Sequence, residues 1–520
     1  MKFSYAGAAT LAVATVFATP AHAQSTPPTV QTPPAKPVSP FVLCDGRTGY
    51  VSGGLRIFRA LAVTATLGVS ELGTTKDDDA KRAKGRDGAA ACTTALTLEK
   101  NGERRVELVM AKTIHLLEDN DLEQALATIR TAEEAAGDYK QDVGFRRTLL
   151  PRAMLLEANV QLRAKRFAEA EAKAVEALQL GSYDVAFVQR AYGFLGLTND
   201  LSPAKQDVLA QSARMIPINF NALAQTLCAN GRYLEAAQLF ADYVTLATAS
   251  LKKFTPIWFD SNQSLLVALA GDVEKSNALR AKVETEIARL RSSGESGDMS
   301  DLLAQTSETL TLQSVIIDLK QGKASDARAT FRAHGPWLLA DKRSVYASMQ
   351  QLRAGAPASE LTGTLGEPPD AWRGHFLDEM ATSIATEDQT KRLYALPTLS
   401  ASAAEFSKAS RVTWTTGAKP KFLWKPDKKD PALFEIMSTI DTVSATDLPA
   451  GEALLLQAGL IARERGVDGV ALIPTRRNID LIGVRFGKIG TPGFPESLTL
   501  RADKLIADLS PVIPKPVPTN

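Results

Sequence analysis

The chain has 520 residues, of which 45% are apolar and 23% are charged, and its net charge is +2. This length corresponds to two to four domains of about 150 residues each. The near-neutral charge provides no strong attraction to nucleic acid or acidic lipid, so we expect neither as a partner. Aromatic residues make up only 6% of the chain, which favours helix pairs rich in Ala and Leu over an all-β sandwich.

Residues 1–23 have the pattern of a secretory signal peptide. Lys2 supplies the positive start, an apolar run extends to Ala18, and Ala21-His22-Ala23 is a suitable cleavage site. The run is too short to span a membrane, and no later run of about 20 apolar residues occurs. We therefore expect a periplasmic or secreted protein of a Gram-negative cell, with no transmembrane segment in the mature chain. The alternative is an ordinary N-terminal helix.

Residues 24–40 are rich in proline, and we expect them to form an extended linker. Residues 41–100 are predicted to form an N-terminal cap region. Cys44 and Cys92 flank a charged segment within it, and an oxidising compartment makes them the natural disulfide pair, worth about 4 kcal/mol. Three cysteines allow other pairings, so this disulfide is a hypothesis. Cys228 lies on an apolar helix face and is interpreted as a buried, inert thiol.

Residues 101–396 are predicted to form an array of helix hairpins. The clearest stretch runs from Met154 to Leu178, where small residues would let two antiparallel helices approach closely around a break near Lys165-Arg166. Small residues recur along the region, with steps of 34 residues from Ala170 to Ala204 and 32 from Ala204 to Ala236, and longer steps elsewhere. The recurring positions are Ala125, Ala170, Ala204, Ala236, Ser276 and Ala327.

This pattern resembles the tetratricopeptide repeat over about residues 105–335. One copy carries Ala158, Gln161, Phe167, Ala170 and Ala177, and another carries Ala224, Leu227, Tyr233, Ala236 and Tyr243. The resemblance implies an α-solenoid whose first helices line a concave face that binds an extended peptide. Its register places five polar residues on that face: Asn159, Arg163, Gln189, Asn221 and Gln225. The alternative is an irregular helical bundle.

Residues 397–510 are predicted to form a small α+β domain, which makes the fold mostly α with a mixed C-terminal part. Short β-type runs lie at Val412–Thr416, Lys421–Trp424, Ala432–Thr442, Val470–Pro474 and Ile479–Phe486. Helices are predicted at Ala453–Gly466 and Leu498–Leu509. We expect residues 511–520 to be a disordered tail.

The sequence shows no pattern typical of a catalytic or metal-binding site. His115, His334 and His375 share no metal-ligand spacing, and no phosphate-binding loop occurs. We therefore predict no cofactor, no metal and no catalytic residue. The predicted function is a scaffold that binds a protein or peptide partner, and an envelope complex is one candidate. The alternative is a hydrolytic or glycan-active enzyme with its site in the C-terminal domain.

Overall fold

Helices form most of the structure, as the composition predicts. The computed structural model describes residues 38–47, 81–367 except 182, 252–253, 294–298 and 339, the single positions 374, 377, 378 and 382, and 422–426, 433–438, 448–474 and 482–513. The predicted signal peptide, most of the Pro-rich linker and the run at Val412–Thr416 lie outside these residues. No helix in the described ranges is both long enough and apolar enough to cross a bilayer.

The helices are numbered in chain order. They are α1 Pro40–Asp45, α2 Gly85–Leu98, α3 Gly102–Glu118, α4 Leu122–Ile129, α5 Ala132–Ala136, α6 Leu150–Arg163, α7 Phe167–Leu180, α8 Val185–Ala191, α9 Pro203–Met215, α10 Phe220–Ala229, α11 Tyr233–Ser250, α12 Ile257–Leu269, α13 Val273–Ser292, α14 Ser300–Lys320, α15 Ala324–His334, α16 Lys342–Arg353, α17 Leu448–Glu464 and α18 Ala502–Leu509.

Five helix pairs in the described part of the chain are joined by three-residue connectors with a left-handed middle residue: α3–α4, α6–α7, α10–α11, α12–α13 and α14–α15. The middle residue of every connector has a φ between 57° and 95°, and these residues are Asn120, Lys165, Gly231, Gly271 and Gly322. The third connector residue donates its N–H to a carbonyl five residues back, as Arg166 does to Gln161 at 2.9 Å. A left-handed residue with this bond ends a helix and turns the chain back. The predicted break near Lys165-Arg166 is confirmed.

Each second helix of these pairs carries a small residue at its fourth position, where it packs against the first helix. Ala125, Ala170, Ala236, Ser276 and Ala327 all have 0% of their surface exposed. The N–H of each bonds to the last connector residue, as Ala170 does to Arg166 at 2.9 Å. A larger side chain at this point would push the two helices apart or force strained rotamers.

Helix α16 lies against the first helices of three hairpins, α10, α12 and α14. Asp341 caps its N-terminus by accepting the N–H groups of Arg343 and Ser344 at 3.2 and 2.9 Å. The Arg343 guanidinium donates to Thr226 Oγ1 on α10 at 3.1 Å. The side chain of Gln351 donates to the carbonyl of Leu269 at the end of α12, also at 3.1 Å. Helix α16 therefore covers the face that these first helices share.

The N-terminal segment is attached to the hairpins by the predicted cysteine pair. The sulfur atoms of Cys44 and Cys92 form a disulfide that links α1 to α2, and both residues are fully buried. His115 of α3 is also buried, with Nε2 2.7 Å from the carbonyl oxygen of Cys44 and Nδ1 3.0 Å from Glu118. Arg104 forms two hydrogen bonds with Asp45, at 2.5 and 2.7 Å. Helix α1 is thus held by a covalent bond and by buried polar contacts.

The C-terminal part contains a small antiparallel sheet. Its strands are β1 Phe422–Pro426, β2 Leu433–Ser438, β3 Gly469–Pro474, β4 Ile482–Gly487 and β5 Leu500–Arg501, in the order β1-β2-β4-β3-β5. Val470 pairs with Phe486 on one side and with Leu500 on the other. All four residues from Val470 to Ile473 are buried, so both faces of β3 are covered. Helix α17 packs against β3 and β4, and α9 also contacts β3.

Four of the five helix pairs share one hydrophobic core with the C-terminal part, while the buried side chains of α3–α4 belong to separate clusters. A single cluster of buried side chains runs from Leu155 through the hairpins to Leu472, Leu505 and Ile513. Ile513 has 0% of its surface exposed and lies within the stretch that the sequence assigns to a tail. Two regions that the sequence separates into domains are therefore packed together.

Candidate functional site

A groove of about 640 Å³ opens between the second helix α7 and helix α9. Its apolar wall consists of short side chains, namely Ala168, Ala172, Val175 and Ala204. Its polar residues are Glu171, Glu176, Gln179, Thr198, Asn199, Asp200, Ser202 and Lys205. This volume lies in the range of sites that accept a small molecule or a short stretch of peptide.

The α7–α9 groove arises where the hairpin pattern changes. Helix α8 ends early in a 3-10 turn, Tyr192–Gly196, and residues 197–202 replace the three-residue connector of the other pairs. Ser202 then caps α9 through its hydroxyl, which accepts the N–H of Lys205 at 3.4 Å, and Pro203 occupies the first helical position. The longer connector leaves an open space beside α7. The connectors of the other five pairs have only three residues.

The base of the groove holds a buried ion pair. Lys205 Nζ lies 2.7 Å from Glu171 Oε1, and the two residues have only 2% and 3% of their surface exposed. Lys205 also donates to the carbonyl of Thr198 at 2.9 Å. Glu171 accepts the N–H of Thr198 at 3.3 Å and a further hydrogen bond from its hydroxyl. The pair therefore anchors the connector to both helices.

The electrostatics of the base follow from its burial. Removal from water lowers the pKa of Lys205 from its ordinary value, while the charge of Glu171 and the hydrogen bond to it act in the opposite direction. Because Glu171 neutralises Lys205, the remaining lining charges are the exposed carboxylates of Asp200 and Glu176. Glu176 is in turn bonded by Lys173 at 2.6 Å. Asp200 is therefore the lining carboxylate that has no cationic partner within the described ranges.

The structure distributes the five predicted concave-face residues over different environments. Asn159 has 0% of its surface exposed, so its side chain cannot contact a partner at the surface. Arg163 is partly buried and donates to the carbonyl of Leu117 at 3.3 Å. Gln189 is exposed on α8, and Asn221 is partly buried on α10. None of these four residues lines the α7–α9 groove.

The fifth residue, Gln225, is bonded within the chain. Its amide nitrogen donates to Asp341, the residue that caps α16. Helix α16 therefore occupies the position at which the resemblance places an extended peptide along α10. The sequence could not indicate this contact because Gln225 and Asp341 are 116 residues apart.

The sequence pattern did not predict the residues that line the groove. Glu171 and Lys205 are 34 residues apart and look like ordinary helix-surface charges in one dimension. The sequence does carry two relevant signals: Ser202-Pro203 is a strong helix start, and Tyr192 replaces the small residue expected in a first helix. Both point to an altered hairpin, but neither indicates that it leaves an opening.

Four described carboxylates of the C-terminal part have partners within the protein. Glu452 accepts from Arg147, Asp468 from the N–H of Ile489, Asp503 from Arg501, and Asp508 from Tyr183 and Lys504. Within the described ranges no group of three or more His, Cys, Asp and Glu residues could hold a metal ion. Comparison with known proteins finds no matching family model, no similar curated protein and no similar solved structure.

Proposed function

We propose that the protein is a tetratricopeptide-like scaffold that binds an extended segment of a protein partner and catalyses no reaction. The observation that carries this proposal is an open groove at the one altered pair of an otherwise regular series of described hairpins. Arrays of helix hairpins offer long surfaces for binding other chains. The identical connectors at residues 119–121, 164–166, 230–232, 270–272 and 321–323 support the assignment to a repeat architecture.

The composition of the groove supports a particular kind of segment. The short side chains of Ala168, Ala172 and Val175 leave space for an aliphatic side chain of the partner. Gln179 and Asn199 can exchange hydrogen bonds with its backbone, and the carboxylate of Asp200 favours a neighbouring Lys or Arg. The proposed ligand is therefore an extended segment in which an aliphatic residue adjoins a basic one.

The proposed location is the periplasm of a Gram-negative cell, or the medium after secretion. The buried Cys44–Cys92 disulfide supports this location because such bonds persist in oxidising compartments. An envelope complex is then a natural source of the partner. The signal-peptide pattern of residues 1–23 points to the same location.

Site-specific photo-crosslinking in intact cells tests the proposal. A benzophenone amino acid replaces Ala172 in the groove in one variant and Ala281 in a second variant. Ala281 is an exposed alanine on the second helix α13 and serves as the matched control. We expect a discrete crosslinked partner from position 172 only, with the attachment point in a segment that contains Lys or Arg. Adducts of equal identity and yield from both positions, or none from position 172, would contradict the proposed function.

A further inference from the structure

A second, smaller cavity lies where the hairpins meet the C-terminal part. It has a volume of about 70 Å³, and we call it the seam pocket. Tyr183, Gln211 and Arg214 line it from the hairpin side, and Leu500, Arg501, Lys504 and Leu505 line it from the C-terminal side. It shares no residue with the α7–α9 groove, and the proposed function does not use it.

The seam pocket contains one buried hydrogen-bond donor that no described residue satisfies. The amide nitrogen of Gln211 is buried and has no acceptor among the described residues. The guanidinium of Arg214 has one contact there, from Nε to the carbonyl of Glu496 at 3.5 Å, which is long for a hydrogen bond. A buried donor left without an acceptor is costly, so the Gln211 amide indicates a missing acceptor.

Three cations line the pocket, and two of them form ion pairs with neighbouring carboxylates. Arg501 pairs with Asp503 at 3.1 Å, and Lys504 pairs with Asp508 at 2.8 Å. Arg214 forms no ion pair within 4 Å among the described residues, so its guanidinium is the lining cation that has no carboxylate in direct contact. Burial lowers the pKa of Arg214, although the charges of Glu496 and Asp207 oppose this effect. An anion in the pocket would offset the cost of burying this guanidinium.

We propose that the seam pocket binds a small oxyanion of the phosphate class between Gln211 and Arg214 on one side and Arg501 and Lys504 on the other. The planar guanidinium presents paired N–H donors that match the oxygen spacing of a phosphate. The Gln211 amide supplies a neutral donor, and Leu500 and Leu505 exclude water from the inner wall. The ion would then link the two halves of the shared core and stabilise the folded protein.

Thermal unfolding in phosphate tests the inference. Protein in a phosphate-free buffer is titrated with inorganic phosphate while ionic strength is held constant with chloride. Ligand that binds only the folded state raises the melting temperature in a saturable way. We expect this for the wild type, and we expect Arg214→Gln to bind phosphate roughly tenfold or more weakly. Arg289→Gln, on the exposed Arg289–Glu286 pair of α13, should behave as the wild type.

Two additions complete the test: a direct binding measurement with a second variant, and a second ligand. Calorimetric titration measures binding directly, and Gln211→Leu gives a second variant in case Arg214→Gln does not fold. Glycerol 3-phosphate, added in place of inorganic phosphate, distinguishes a free ion from the terminal group of a larger molecule. Saturation by either compound, weakened in the pocket variants alone, supports the site. The absence of saturable binding in the wild type, or equal binding by Arg214→Gln, would overturn it.

Discussion

Lys205 and Glu171 are two opposite charges that the fold removes almost completely from water. Desolvation of such a pair costs several kcal/mol, and the attraction between the partners repays it only when hydrogen bonds complete the site. Thr198 provides them, since its carbonyl accepts from Lys205 and its N–H donates to Glu171. The pair therefore specifies how the connector lies against the two helices, and removal of one partner should cost more than removal of both.

The substitution Lys205→Met should lower the free energy of unfolding by about 3–5 kcal/mol, because it leaves the Glu171 carboxylate buried without a cation. The double variant Glu171→Gln with Lys205→Met should lose less. Urea denaturation measures both values. The control Lys323→Met removes a lysine that pairs with the partly exposed Asp318, and it should cost less than about 1 kcal/mol. A cost for Lys205→Met no larger than that of the control would refute the interpretation.

At the scale of the helix pair, the five connectors share one left-handed backbone conformation. Three of them place glycine in it, and two place a residue that has a side chain. Gly231, Gly271 and Gly322 adopt a positive φ without a steric penalty, and a Cβ built on any of them would meet no atom within 4 Å. Asn120 and Lys165 adopt the same conformation with a side chain attached. We therefore attribute the penalty at these two sites to backbone conformation and not to a steric clash. Substitutions that keep or remove the Cβ should distinguish this penalty from the loss of side-chain contacts.

Two opposite substitutions test this account of the connectors. Gly231→Ala should lower the free energy of unfolding by about 1–2 kcal/mol, and Lys165→Gly should raise it by roughly 1 kcal/mol, because each changes the cost of a left-handed residue. Chemical denaturation is the measurement. Lys165→Ala is the control, since it removes the exposed Lys165–Asp378 contact but keeps a Cβ, and it should change little. Stabilisation by Lys165→Ala equal to that by Lys165→Gly would rule out a backbone origin.

At the scale of the whole molecule, the hairpins and the C-terminal part are joined by polar contacts as well as by a shared core. Arg147 forms hydrogen bonds of 3.0 and 3.1 Å with the two carboxylate oxygens of Glu452, which has 0% of its surface exposed. Ser497 donates to Asp242 at 2.6 Å, and Tyr183 donates to Asp508 at 2.6 Å. Because apolar surface of both parts is buried in one cluster, we expect them to unfold in a single transition.

The substitution Arg147→Met should lower the free energy of unfolding by about 3–5 kcal/mol at neutral pH by leaving Glu452 unpaired. Burial already raises the pKa of Glu452 above its ordinary value, against the opposing charge of Arg147, and loss of Arg147 should raise it further. A carboxyl group with a raised folded-state pKa favours the folded state at low pH and disfavours it as pH rises through that pKa. The deficit of the variant should therefore be larger at pH 8 than at pH 5.

Denaturant unfolding at the two pH values measures this deficit. The matched control is Arg146→Met, which removes a neighbouring arginine whose contacts are with Lys140 and Gln141 at the surface. It should change stability little at either pH. A deficit for Arg147→Met that is the same at pH 5 and pH 8 would show that the Glu452 carboxyl is not the source of the cost.

The sequence by itself determined the local features of this protein. Hairpin breaks are set by residues close in the chain, so Lys165-Arg166 and the small residues Ala170 and Ala236 could be identified from spacing alone. Local composition likewise predicted the strands near Val470–Pro474 and Ile479–Phe486. The positions of the cysteines predicted the Cys44–Cys92 pair. The assignment of the hairpins to the tetratricopeptide-like class stays a prediction.

Only the tertiary structure decided which helix faces are covered and where the groove and the seam pocket lie. Helix α16 covers α10, the α7–α9 groove opens beside an altered connector, and the seam pocket draws Arg214 and Lys504 from positions 290 residues apart. One-dimensional patterns report which face of a helix is apolar, but they do not report which distant element buries it. Contacts such as Gln225 with Asp341 depend on the path of the whole chain, and for this reason the predicted binding face and the open groove differ.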